Sequence, residues 1–174
     1  RAQNPDTIIL NSANRGNVLG KGATGGFVGA ISGSNWNNAT CELNIENCYN
    51  SGNISSDNTA GGILGEQQTV SIQNHLYIKN SYNIGTVTGK SVGNIIGKIF
   101  SDARTDTKTE FTNVYYPSEP SIGTGSLTSG EATLKSGSEI KSQTFVDLLN
   151  ANIGTNADWK KWKLGTNGYP TFLD

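Results

Sequence analysis

The sequence predicts an all-β chain, a right-handed parallel β-solenoid of about four coils with a small C-terminal mixed α/β cap. Three observations carry that expectation. Two short motifs recur in phase along the first two thirds of the 174 residues. The apolar pieces within them are two to five residues long and bounded by Gly and Asn, too short for the ~10–12 residues of an average helix. Composition points the same way, since 22 Gly, 21 Asn, 18 Thr and 17 Ser together make 78 of 174 residues, a mixture that starves helices and favours turns, bulges and short strands.

The first motif is N-[SC]-[AY]-N-x-G-x-[VI]. It appears as Asn11-Ser12-Ala13-Asn14-Arg15-Gly16-Asn17-Val18, as Asn47-Cys48-Tyr49-Asn50-Ser51-Gly52-Asn53-Ile54 and as Asn80-Ser81-Tyr82-Asn83-Ile84-Gly85-Thr86-Val87, with a degenerate fourth copy at Asn113-Val114-Tyr115-Tyr116. The leading Asn residues are 36, 33 and 33 apart. Two places before each stands a large apolar residue, Ile9, Ile45, Ile78 or Phe111. The second motif keeps the same rhythm as Gly25-Gly26-Phe27-Val28-Gly29, Gly61-Gly62-Ile63-Leu64-Gly65 and Gly93-Asn94-Ile95-Ile96-Gly97, with only Gly123-Thr124-Gly125 as a fourth remnant.

No such piece can bury itself. Stacking equivalent pieces at the ~4.8 Å strand spacing would bury continuous columns of Ile, Phe and Val. The Ile9, Ile45, Ile78 and Phe111 set should form one column, Phe27, Ile63 and Ile95 another, and the Tyr49, Tyr82 and Tyr115 positions should stack. A leading Asn tolerates a left-handed corner and can hydrogen-bond to its copies. The competing architecture is a sandwich whose hairpins look alike by accident.

Residues 1–127 therefore read as the repeat region and 128–174 as a capping segment. In the latter, Ser136-Gly137-Ser138-Glu139 has capping-box spacing, and Phe145-Val146-Asp147-Leu148-Leu149 fits a short amphipathic helix ending near Asn150 to Asn152. Trp159, Trp162, Tyr169 and Phe172 follow. They read as packing beneath that helix, with sugar stacking by the two Trp residues as the alternative. A cap over the last coil would shield its apolar side chains and block strand-by-strand growth.

The quoted pair of motifs resembles the GLUG-type repeat of large bacterial surface proteins, among them adhesins and the non-catalytic regions of some immunoglobulin A peptidases. The resemblance covers about residues 7–116. It implies a β-solenoid displayed outside the cell, at the bacterial surface, with repeat residues that are structural.

Chemistry-bearing residues are sparse. The single histidine, His75, has no neighbouring acid or cysteine in sequence, and Cys41 and Cys48 lack the base that a thiol nucleophile requires. Both cysteines are expected to stay reduced, because the strand-like residues between them hold their Cα atoms beyond the ~7 Å that a disulfide allows. Glu42, Glu46, Asp57, Glu66, Asp102, Asp106 and Glu110 do not recur at the repeat period, so no metal site, catalytic residue or cofactor is expected. With 13 Lys plus Arg against 14 Asp plus Glu, no basic field invites nucleic acid. No apolar run approaches the ~18 residues of a membrane span, so membrane insertion is not expected either. The chain contains no methionine, and reads as a monomeric fragment of a larger protein.

Ligand binding by a solenoid favours loops that break the repeat. The longest is 32–40, where Trp36 stands among Asn35, Asn37 and Asn38. An indole among amides can stack on a sugar ring while the amides bond to hydroxyls. Folding back over the first coil is the alternative. The functional expectation is a non-enzymatic adhesive or spacer module of an exported surface protein, with a host surface glycan or protein as partner. The competing expectation is an accessory domain of an immunoglobulin A peptidase or a carbohydrate-active β-solenoid enzyme.

Overall fold

The structure is a computed structural model, and it describes residues 7–32, 41–68, 74–100 and 107–173. The chain runs repeatedly through the same short strands. The first passage contains β1 (Thr7–Leu10), β2 (Ala13–Asn14), β3 (Val18–Gly20), β4 (Thr24–Gly25) and β5 (Val28–Ile31). The second contains β6 (Cys41–Glu46), β7 (Tyr49–Asn50), β8 (Ile54–Ser56), β9 (Thr59–Gly61) and β10 (Leu64–Gln67), and the third β11 (Asn74–Asn83), β12 (Val87–Thr88), β13 (Ser91–Gly93) and β14 (Ile96–Ile99). After β15 (Lys108–Tyr116) and β16 (Ile122–Thr124) the chain returns once more as β17 (Ala132–Leu134).

Every pairing among β1 to β17 is parallel. The long sheet has the order β1-β6-β11-β15-β17 with β2 and β7 alongside, and narrower sheets follow as β3-β8-β12, β4-β9-β13 and β5-β10-β14-β16. This is a mostly β, β-helix-like arrangement, and parallel pairing continues past residue 127 to Leu134.

Register follows the repeats. Ile9 lies beside Ile45, Ile45 beside Ile78 and Ile78 beside Phe111; Ile45 and Ile78 are fully buried. Phe27, Ile63 and Ile95 form the second column, joined by backbone bonds from Phe27 N to Ile63 O and from Ile63 N to Ile95 O. These columns meet in one apolar core. The fourth member of the second motif is Ser121-Ile122-Gly123-Thr124 rather than the Gly123-Thr124-Gly125 remnant, for Ile122 pairs with Ile96 and Thr124 with Lys98. The chain reaches it early because no described strand after β15 joins the β12 or β13 rows.

The leading Asn residues make the corners. Asn11, Asn47, Asn80 and Asn113 have φ of 48°, 53°, 44° and 56°, and they are the non-glycine residues with positive φ among the described residues. Asn costs least in this region after Gly. It adds what Gly lacks: Asn47 Nδ2 donates to Asn11 Oδ1 at 2.7 Å, and Asn80 Nδ2 to Asn47 Oδ1 at 2.8 Å. A second amide row runs the opposite way, Asn14 to Asn50 and Asn50 to Asn83, both at 2.7 Å. Gly52 is required nearby, since a Cβ there would overlap the Gly16 carbonyl of the preceding passage.

The cap lies along the side of the stack. Ser136 closes a capping box on the short helix α1 (Gly137–Ile140), and Ser142 separately caps α2 (Gln143–Ile153), so the expected single helix is two. An antiparallel hairpin of β18 (Trp162–Leu164) and β19 (Pro170–Phe172) ends the fold. These elements cover the tyrosine row, where Tyr49 and Tyr82 stack at 5.3 Å and Phe145 meets Tyr82 and Tyr115 edge-on. Trp162 is 3% exposed against Tyr49 and Tyr82, which bears out packing for that indole. The placement has a physical cause, for the tyrosines belong to a second apolar cluster, separate from the Ile core, and the tail supplies its other buried members. The tail also meets the corner amides: Asn11 donates to Asp158 O, Asn47 to Lys160 O and Asn80 to Leu149 O.

Candidate functional site

Trp36, Asn35, Asn37 and Asn38, the residues the sequence favours for ligand binding, lie outside the described residues. Asp102 and Asp106 do too. Among the described residues no group of His, Cys, Asp and Glu has the geometry of a metal site.

The cysteines occupy structural positions. Cys48 Sγ donates to Glu46 O at 3.1 Å, as Ser12 and Ser81 Oγ donate to the carbonyls two residues before them. Burial pushes the Cys48 thiol up to about 12 and also raises Cys41, so both are protonated at neutral pH and poor nucleophiles. No disulfide joins them. His75 sits edge-on to Tyr77, with ring centroids 6.4 Å apart.

Side chains from distant parts of the chain converge in a cleft of about 460 Å³ between the stack and the β18–β19 hairpin. Arg15 and Ser51 come from the variable place of N-x-G in the first two passages; the third carries Ile84, which packs under the tail. The opposite wall runs from Lys163 through Asn167 and Tyr169 to Phe172.

Arg15 is pinned. Its Nε donates to Tyr49 Oη at 2.7 Å and its Nη2 to Thr171 Oγ1 at 2.9 Å, while Tyr49 Oη and Thr171 Oγ1 are 3.0 Å apart. Tyr49 is itself fixed, lying between Arg15 and Tyr82 with Phe172 5.6 Å away. Below it Tyr82 Oη donates to Pro170 O, and burial holds that phenol well above its usual range. The guanidinium is thus oriented by side chains anchored in the aromatic cluster. Among the described residues the cleft walls carry Arg15 and Lys163 and no carboxylate.

A second depression, lined by Lys135, Glu139, Ser142, Phe145 and Leu148, lies over the two helices. Its charges offset each other, with Lys135 3.8 Å from Glu139, and the Ser136 hydroxyl and amide that cap the helix hold Glu139 below its usual range. The cleft beside Arg15 has the more convergent polar groups. Sequence reasoning missed it because its walls meet only when the tail folds back on the stack. The available signal was a charged residue at a variable place inside the repeat.

No protein-family model and no curated protein matches the chain. Among solved structures it is similar to the crystal structure of a "putative immunoglobulin A1 protease" from Bacteroides ovatus, with a TM-score of 0.54 and 22% sequence identity. The match covers 95% of this chain and 57% of that one, so the chain spans little more than half the length of its neighbour. At this identity the likeness is one of fold.

Proposed function

We propose that this chain is a non-enzymatic adhesive or spacer module of an exported bacterial cell-surface protein. In this reading residues 1–127 form a right-handed parallel β-solenoid of about four coils with GLUG-type repeats, and 128–174 form its capping segment. One observation carries it: the recurring polar side chains are engaged in holding passages together. Asn11, Asn47 and Asn80 bond to one another and to the tail, Asn14, Asn50 and Asn83 form the second row, Cys48 Sγ donates to Ile9 O, and Ser81 Oγ accepts from Cys48 N. A stack tied together this way is stiff, and its surface rather than its repeat is what can meet a partner. A host surface glycan or protein is the partner the reading calls for.

The fold-level likeness supports a second reading, an accessory region within a larger immunoglobulin A peptidase-like protein. Both place the module outside the cell and neither gives it a reaction. Incubating the chain with immunoglobulin A1, a polysaccharide panel and cultured host cells separates the outcomes. Saturable cell binding without turnover is expected for an adhesin, and cleavage of any substrate would overturn the non-enzymatic reading.

A further inference from the structure

We propose that the cleft between Arg15 and the β18–β19 hairpin binds an acidic saccharide, a sugar ring bearing a carboxylate. The inference deepens the adhesive reading and rests on it for its biological meaning. Two of the five N–H donors of Arg15 are used on Tyr49 Oη and Thr171 Oγ1. Those bonds fix the plane of the fork, and a planar guanidinium held in one orientation suits a carboxylate, which it can bind through two parallel hydrogen bonds. Little ordering entropy remains to be lost when the ligand arrives.

Charge selects the anion. The Arg15 guanidinium supplies the positive charge, and among the described residues the lining contains no Asp or Glu, although the whole chain has a net charge of −1. A fixed cation on a concave wall concentrates the opposite ion.

The remaining lining selects a sugar over a simple carboxylate. Tyr169 and Phe172 are half-buried rings at the cleft, each able to take the apolar face of a pyranose. Ser51, Thr166 and Asn167 supply hydroxyl and amide groups at its rim, suited to ring hydroxyls. Lys141 Nζ lies 4.6 Å from the centre of the Tyr169 ring and braces it. The volume falls within the range of small-ligand sites. An acidic peptide would use the guanidinium but leave the rings and the amide rim without a role.

The test is amide NMR on the intact chain, titrated with glucuronic acid, N-acetylneuraminic acid, glucose and an acetylated aspartyl-glutamyl dipeptide. The expected result is saturable shifts at Gly16, Ser51 and 163–172 with the acidic sugars, and at least about tenfold weaker binding of glucose and of the dipeptide. Arg15→Gln should abolish the shifts and Arg15→Lys should weaken binding, with unchanged signals at Ile45 and Ile78 showing that the fold survives. Equal binding of glucose and glucuronic acid, equal binding of the dipeptide, indifference to Arg15→Gln, or no shift with any probe would overturn the proposal. Cell binding that persists in Arg15→Gln would also remove the cleft while leaving adhesion. Sugar binding by a chain that never binds cells would leave the cleft and remove adhesion.

Discussion

The same repeats build two apolar clusters, and they are closed in different ways. In the first, Ile45, Ile78 and Phe111 share a cluster with other residues of the repeats, among them Ile63, Leu64 and Ile95. In the second, Tyr49, Tyr82 and Tyr115, only four residues further along each copy, are covered by Ile140, Phe145, Leu149 and Trp162 from the tail. The turn at the left-handed Asn divides the two. A repeat therefore specifies one core by itself and leaves the other to a segment that repeats nothing.

The largest effect should come from the self-closed core. Ile78 is fully buried between Ile45 and Phe111, so Ile78→Asp puts an unpaired charge where no water or cation can reach it. Circular dichroism should show loss of the cooperative unfolding transition. A stable Ile78→Asp variant would break the comparison at its stronger half.

Next in size is the tail-closed core. Trp162 packs on Tyr49, Tyr82 and Phe172 and its Nε1 donates to Asn47 Oδ1 at 2.8 Å. Trp162→Ala should cost about 3–5 kcal/mol, read by urea denaturation, and should make 136–173 sensitive to protease while residues 41–68 and 74–100 resist it. Asn47 then sharpens the boundary between the cores. Asn47→Gly keeps the left-handed backbone and loses the amide bonds, whereas Asn47→Ala loses both. The alanine variant should be the less stable by about 1 kcal/mol, and equal stabilities would show that the corner carries no backbone demand.

The smallest effect is a matter of pH. Burial lifts the Cys48 thiol to about 12 and raises the Tyr82 phenol well above its ordinary value. The unfolded chain loses these protons first, so from about pH 9 upward it holds fewer protons than the native state and stability falls as pH rises. A single group contributes up to about 1.4 kcal/mol per pH unit across that window. Denaturation midpoints should be flat in this respect from pH 7 to 8.5 and decline toward pH 11. Alkylation of Cys48 at pH 8 should require unfolding.

The stack was legible because its signals are local and repeated. Four Asn residues at 36, 33 and 33 intervals became four left-handed corners, and the Ile9, Ile45, Ile78 and Phe111 column pairs as read. The capping box at Ser136 and Glu139 was legible for the same reason. The fourth copy of the glycine motif was misplaced because Gly123 follows Gly97 by only 26 residues, breaking the period. The position of the tail could not be read, since nothing in Trp162 or Leu149 says which face of a distant repeat it will cover. The cleft inherits that difficulty: Arg15 and Thr171 are 156 residues apart in sequence.

Amide hydrogen exchange on Leu149→Asp tests the division into two cores most directly. Leu149 is fully buried in the aromatic cluster, and its carbonyl accepts from Asn80 Nδ2, so the charge should detach the tail. The account predicts lost protection across 143–173 and around Tyr49 and Tyr82, with Leu43–Ile45, Leu76–Ile78 and Ile96 still protected. Uniform loss through both cores, or full protection of the tail, would contradict it.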